Sequence, residues 1–125
     1  MQKPHKNLDV WNASMDLAIE VYRGTEEFPS DERFSLTSQL RRSALSVPSN
    51  IAEGAARHTR KEFINFLYMA QGSLSELDTQ LELAKRLGYL PRDRWEILNS
   101  KLDRIDKMIS GLIRHQRTQG VMRRA

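Results

Sequence analysis

Cysteine is absent from this chain of 125 residues, which excludes disulfides, thiolate metal sites and a thiol nucleophile and fits a reducing compartment. Long apolar runs are missing as well. No stretch approaches the ~20 residues needed to cross a bilayer. The opening MQKPHKNLDVW lacks the apolar segment of about 7–15 residues that marks a secretory leader, so a cytoplasmic protein with no membrane partner is expected. Glycine (6) and proline (4) are sparse and no internal repeat or low-complexity segment occurs, which rules out collagen-like and linker-rich chains. With 39% hydrophobic and 29% charged residues the chain has the composition of a folded protein. Its length suffices for one core and not for two. The expectation is a single domain over 1–125, ordered from about 8 to 115, with a flexible basic tail at 116–125.

Charge is nearly balanced, at +4 overall. Residues 1–100 are net −1 and residues 101–125 are net +5, so the surplus is C-terminal. A local excess of this kind favours an anionic partner, nucleic acid or the acidic face of another protein.

What the chain does have is helical periodicity. Between Leu8 and Tyr22, Trp11, Met15, Ala18 and Tyr22 recur at helical steps, with Val10, Leu17 and Val21 as a second stripe about 100° round the helix. Ser30 followed by Asp31 and Glu32 reads as the N-cap of a second helix, about Asp31 to Ala56, whose stripe is Leu36, Leu40, Ala44, Val47, Ile51 and Ala55. Pro48 falls inside this pattern, which predicts a kink near Val47–Ser49 rather than two helices. Gly54 there permits close packing or an early fray. Thr59 with Glu62 forms a capping box opening a third helix, whose stripe of Phe63, Leu67, Ala70, Leu74, Leu77, Leu81 and Ala84 ends at Gly88. Pro91 suits the first turn of a fourth helix carrying Trp95, Leu98, Leu102, Ile105, Ile109 and Leu112 and ending near His115.

Four amphipathic helices on short links predict an all-α, up-and-down antiparallel four-helix bundle with its second helix kinked at Pro48. That topology brings the N-terminus, the second-to-third connection and the C-terminus to one end. Lys3, Lys6, Arg57, Arg60, Lys61, Arg114 and Arg117 would gather there, with Glu62 as the nearest acid. Such a pole can contact phosphates with a salt-dependent affinity. Lys and Arg also serve to offset helix dipoles in last turns and to keep loops soluble, which is the plainer account of the same residues.

Other chemistry finds little support. His5, His58 and His115 fall near the basic end, but cationic neighbours oppose a dication and no Glu-x-x-His pattern accompanies them, so neither a metal nor another cofactor is expected. Asp103 with Asp106 and Asp78 with Glu82 lie among Lys101, Arg104, Lys107, Lys85 and Arg86, as solvated ion-pair faces do. Ser43, Ser46 and Ser49 have no neighbouring histidine to activate them, and no Gly-rich phosphate loop occurs. Apolar residues beyond the main stripes, namely Val10, Leu17, Val21, Leu45, Phe66, Leu83 and Ile97, exceed what a lone bundle hides and point to a homo-oligomer or a partner's groove.

The stretch Leu40-Arg41-Arg42-Ser43-Ala44-Leu45-Ser46-Val47-Pro48-Ser49-Asn50-Ile51-Ala52-Glu53-Gly54 resembles the signature of the 23S rRNA intervening-sequence proteins, also called the four-helix-bundle protein family. Glu62-Phe63, Phe66 to Ala70 and Gly72 to Leu77 resemble the same family, as does Leu8-Asp9-Val10-Trp11. The similarity spans about residues 8–115. It implies a bundle assembling as a homopentamer, without an established catalytic activity, and a kinship with the accessory protein of diversity-generating retroelements, which works with a reverse transcriptase. Within the signature, Arg41, Arg42, Asn50 and Glu53 form a polar set. One reading makes them an intersubunit cluster, with an arginine on Glu53 and Asn50 on the carbonyl freed by Pro48; the other turns Arg41 and Arg42 toward RNA. Two functions follow: a non-enzymatic oligomer that binds rRNA or its intervening sequence through the basic end, or a protein–protein scaffold serving a nucleic-acid enzyme.

Overall fold

Leucine, isoleucine and alanine at helical spacing bury one stripe per helix, and in the computed structural model four helices bring those stripes together. The structure describes the backbone of residues 1–124 and the side chains of residues 1–119. Among them a short 3-10 turn, Pro4–Asn7, precedes α1 (Asp9–Gly24), α2 (Leu36–Ala55), α3 (Arg60–Arg86) and α4 (Arg92–Arg124), and no strand occurs. Each helix packs on its two neighbours in the order α1, α2, α3, α4 and back to α1, with α2 and α3 in the most extensive contact. Ser46 meets Ser73 and Gly54 meets Phe63, so α2 and α3 are antiparallel; Gln71 reaching Asp106 and Ser110 while Tyr68 meets Arg117 fixes the same relation for α3 and α4. The four-helix bundle expected from periodicity is the observed architecture.

The core consists of Leu17, Val21, Leu40, Val47, Ile51, Leu67, Leu74, Leu77, Leu98, Ile105, Ile109 and their neighbours. In α3 and α4 these are the stripes that spacing identified, except at the end of the α4 stripe, where Ile113 is buried and Leu112 half-buried. In α1 the second stripe is the buried one: Val10, Leu17 and Val21 are buried, and of the first stripe only Ala18 is, with Trp11 and Met15 half-buried and Tyr22 exposed. Of the residues expected on helix flanks, Leu45, Leu83 and Ile97 do remain exposed.

Boundaries differ in two places. Ser30, Asp31 and Glu32 form a 3-10 turn instead of opening α2, which starts at Leu36 after Ser35. This connection turns Phe28 inward, where it packs against Tyr89 at a ring separation of 5.6 Å. α4 does not end near His115 but continues to Arg124. Nothing between 116 and 119 breaks a helix: Thr118 returns its Oγ1 to the Arg114 carbonyl at 3.0 Å, and Gly120 costs only about 1 kcal/mol relative to alanine. Expectations for residue 125, and for the side chains of 120–124, lie outside the described residues.

Local rules account for the remaining ends. Thr59 Oγ1 accepts the Glu62 amide at 3.1 Å, one arm of the capping box. At the far end of α3 the Tyr89 amide bonds the Ala84 carbonyl and the Gly88 amide bonds the Lys85 carbonyl, both at 3.0 Å. This is a Schellman motif, and Gly88 takes its left-handed position at φ 79°. α2 runs through buried Pro48 as one helix. At Gly54 it comes so close to α3 that a Cβ would lie 2.7 Å from Phe66 Cβ, so the close-packing role of this glycine is the one realised.

Candidate nucleic-acid interface

The antiparallel order sets the 3-10 turn at 4–7, the α2–α3 connection and the last part of α4 at one end of the bundle, and that turn packs on both α1 and α2. Lys3, Lys6, Arg57 and Lys61 are exposed there, and Arg60 is half-buried with an Nε that finds no hydrogen-bond partner among the described residues. Arg57 lies 4.9 Å over the Phe66 ring and bonds Glu53 at 3.0 Å, so it is partly neutralised. Asp9, Glu53 and Glu62 are the acids of this end. Glu53 therefore stands nearer to the cations than Glu62 alone would suggest.

Arg114 and Arg117 are exposed on α4. Arg117 donates to the Tyr68 hydroxyl and sits 5.6 Å over its ring. Tyr68 lies eight residues into α3 from Arg60, about 12 Å along the axis. The cations thus form a strip that runs from the end of the bundle up the α3–α4 side, rather than a flat cap. Because α4 continues to Arg124, Arg114 and Arg117 lie about two to three turns of helix before its end. Offsetting the helix dipole, which acts within the last turn, does not account for them. Tyr68 is the residue that sequence reasoning left out of this surface; its position one helical step beyond the core residue Leu67 was the available signal.

The polar set in α2 is not one cluster within the chain. Arg41 donates its Nε to Thr25 Oγ1 at 2.9 Å and an Nη to the Tyr22 carbonyl at 3.2 Å, and lies 4.8 Å over the Tyr22 ring. It thereby satisfies a carbonyl at the C-terminal end of α1, where a cation also suits the dipole. Glu53, about 18 Å further along the same helix, pairs instead with Arg57. Asn50 does not serve the Ala44 carbonyl; its Nδ2 turns back to the Ser46 carbonyl at 2.9 Å and Ser46 Oγ at 3.1 Å, beside the Ser46–Ser73 hydroxyl pair at 2.8 Å. A side chain two residues after the proline reaches its own preceding turn more readily than a carbonyl six residues back. Arg42 is exposed.

His5 packs its ring edge-on to Trp11, and no group of three or more His, Cys, Asp or Glu suited to a metal occurs among the described residues. No helix among them is long and apolar enough to cross a membrane. Among the described residues the one titration clearly displaced is that of Glu82, whose carboxyl is held below its ordinary 4.5, chiefly by the hydrogen bond from Arg86 and then that from Lys85.

Comparison with known proteins places these features. No curated protein matches the chain. Among solved structures it resembles a protein of unknown function from the S23 ribosomal protein family of Bacteroides thetaiotaomicron VPI-5482, at 28% identity and a TM-score of 0.75 over 83% of this chain and 97% of that one. Residues 6–111 match the profile of the 23S rRNA-intervening sequence proteins, and with the bundle this assigns the chain to the 23S rRNA-intervening sequence protein family.

Proposed function

We propose that this chain is a non-enzymatic, cytoplasmic RNA-binding protein that takes rRNA or its intervening sequence on the basic strip. The observation that carries the reading is the placement of Lys3, Lys6, Arg57, Arg60, Lys61, Arg114 and Arg117 along one end and its α3–α4 side, with Asp9, Glu53 and Glu62 as the acids there. A strip of cations can take a run of phosphates, and Tyr68 beside Arg117 adds an aromatic surface within it. The S23 family membership of the Bacteroides protein and the name of the family agree with an rRNA context. Exposed Leu45, Met69, Leu83 and Ile97 support self-association, and the resemblance noted above makes a homopentamer the expected assembly. A ring of copies would repeat the strip and raise avidity. The same apolar surface supports the second reading, a scaffold or accessory factor for a reverse transcriptase or another nucleic-acid enzyme.

Mobility shifts with rRNA fragments over a salt series test the first reading. Affinity should fall steeply with salt, and joint Arg57→Ala, Arg60→Ala and Lys61→Ala substitution should flatten the slope by up to about 3 in log K against log salt. Failure of the unmodified protein to shift rRNA at low salt would overturn it.

A further inference from the structure

At the opposite end of the bundle, the connection from α1 to α2 leaves a shallow, solvent-open groove of about 370 Å³ beside the start of α2. Arg33, Arg41 and Arg42 line it together with Tyr22, Phe34 and Thr37; Glu26 lines the adjoining hollow that shares Arg33, Thr37 and Arg41. Among the described residues none of the three arginines is in an ion pair. Arg41 is held in place by its bonds to Thr25 and the Tyr22 carbonyl, so one cation of the groove is already oriented. No side chain caps α2 here, which leaves its first amides to whatever enters. Thr37 also lines the groove: the residue is 7% exposed, and among the described residues its Oγ1 has no hydrogen-bond partner. A buried hydroxyl of this kind is costly unless a ligand or a small side-chain rotation completes it.

Beside these donors stands an aromatic ring out of place for a folded core. Phe34 is 89% exposed, with the Arg33 guanidinium 5.4 Å over one face and the other face open. Three cations alone would suit any polyanion, and a ring alone any apolar surface. Their adjacency suits a phosphate joined to a flat base.

We propose that this groove is a nucleotide-binding site, in which Arg33, Arg41, Arg42 and the α2 amides take the phosphate and Phe34 stacks on the base. The nucleotide is either an unpaired residue of RNA or a free mononucleotide; both present the same phosphate and base. The site shares no residue with the basic strip, and its occupancy does not depend on that surface binding RNA.

Calorimetric titration of the full chain with AMP, adenosine and inorganic phosphate tests this. AMP should bind more tightly than either fragment. Phe34→Ala and Arg42→Ala, both at exposed positions, should each weaken AMP by about tenfold, while the Arg57, Arg60 and Lys61 triple variant should bind AMP unchanged. Competition by a single-stranded oligoribonucleotide would assign the site to unpaired RNA, and its absence to free nucleotide. No heat with AMP at millimolar concentration, equal binding of phosphate and AMP, or AMP binding untouched by both single substitutions would overturn the proposal. So would a change of assembly state by Phe34→Ala, seen by light scattering, in a protein that binds no AMP: the groove would then be a face between copies of the chain.

Discussion

Adding one methyl group at Gly54 should unfold the bundle more easily, although the same change elsewhere should strengthen it. An alanine Cβ at this position would meet Phe66 Cβ at 2.7 Å, Phe63 Cδ1 at 2.9 Å and the Phe63 carbonyl at 3.3 Å. The aromatic ring of Phe63 has some freedom to swing, but Phe66 Cβ is fixed to the α3 backbone, so the two helices must separate. Overpacking of this sort costs about 1–3 kcal/mol. The gain in helix propensity, up to about 1 kcal/mol in a helix interior, is smaller one residue before the end of α2. The net expectation is a loss of about 1–2 kcal/mol. Gly72, exposed in the middle of α3 with nothing within 4 Å of its hypothetical Cβ, supplies the control. There alanine should add about 0.5–1 kcal/mol. At about 4 °C per kcal/mol for a chain of this size, the two melting temperatures should differ by about 6–12 °C. Circular-dichroism melts and urea titrations at matched protomer concentration measure this, since any self-association makes stability concentration-dependent. If Gly54→Ala melts at or above the parent temperature, the close approach of α2 and α3 at this point is wrong.

Three further outcomes follow from the contacts. Arg41→Ala removes the bonds to Thr25 and the Tyr22 carbonyl and should lower urea-unfolding stability by about 1–3 kcal/mol, whereas Arg42→Ala should stay within about 0.5 kcal/mol; equal losses would contradict the clamp. Gly88→Ala places a Cβ in the left-handed region and should lose about 1–2 kcal/mol in the same assay, with Gly88→Asn losing less; an unchanged Gly88→Ala would remove the Schellman geometry from the account. Glu82, held below its ordinary 4.5, should titrate lower in the folded chain by NMR and move back up in Arg86→Ala. A depressed carboxylate contributes stability at neutral pH that is lost as pH falls through its folded value, so Glu82→Gln should be slightly less stable than the parent at pH 7 and should match it in acid. A Glu82 midpoint at or above 4.5 would refute that assignment.

Sequence periodicity located α3 and the start and core face of α4 well, though not the end of α4, because each carries a single apolar stripe flanked by charge, and a stripe of Leu67, Ala70, Leu74, Leu77, Leu81 and Ala84 has one way to face a core. α1 is apolar on two adjacent stripes, and periodicity alone has no means of choosing between them. Its neighbours decide, and they select Val10, Leu17 and Val21. The Ser30-Asp31-Glu32 start signal serves a 3-10 turn as well as an α-helix, since both leave the same first amides free. Among candidate site residues, the end of the bundle on which Lys3, Arg57 and Lys61 fall followed from topology. The partners of Arg41, Asn50 and Glu53 did not, because Thr25 and Tyr22 reach Arg41 only through the fold, while Asn50 and Glu53 had nearer partners in Ser46 and Arg57 on their own helix or just beyond it.

The dominance of the α2–α3 contact bears on the order in which the chain folds. These two helices share the largest interface and are joined by the four-residue connection 56–59, so their contacts need little loop closure. Local pairing of this kind is expected to form first, with the remaining helices docking on the hairpin afterwards. Substitutions at Leu67 or Val47 should therefore slow refolding, and those at Leu17 should mainly hasten unfolding. Gly54, at the base of that hairpin, would act on the rate of folding as much as on the stability of its product.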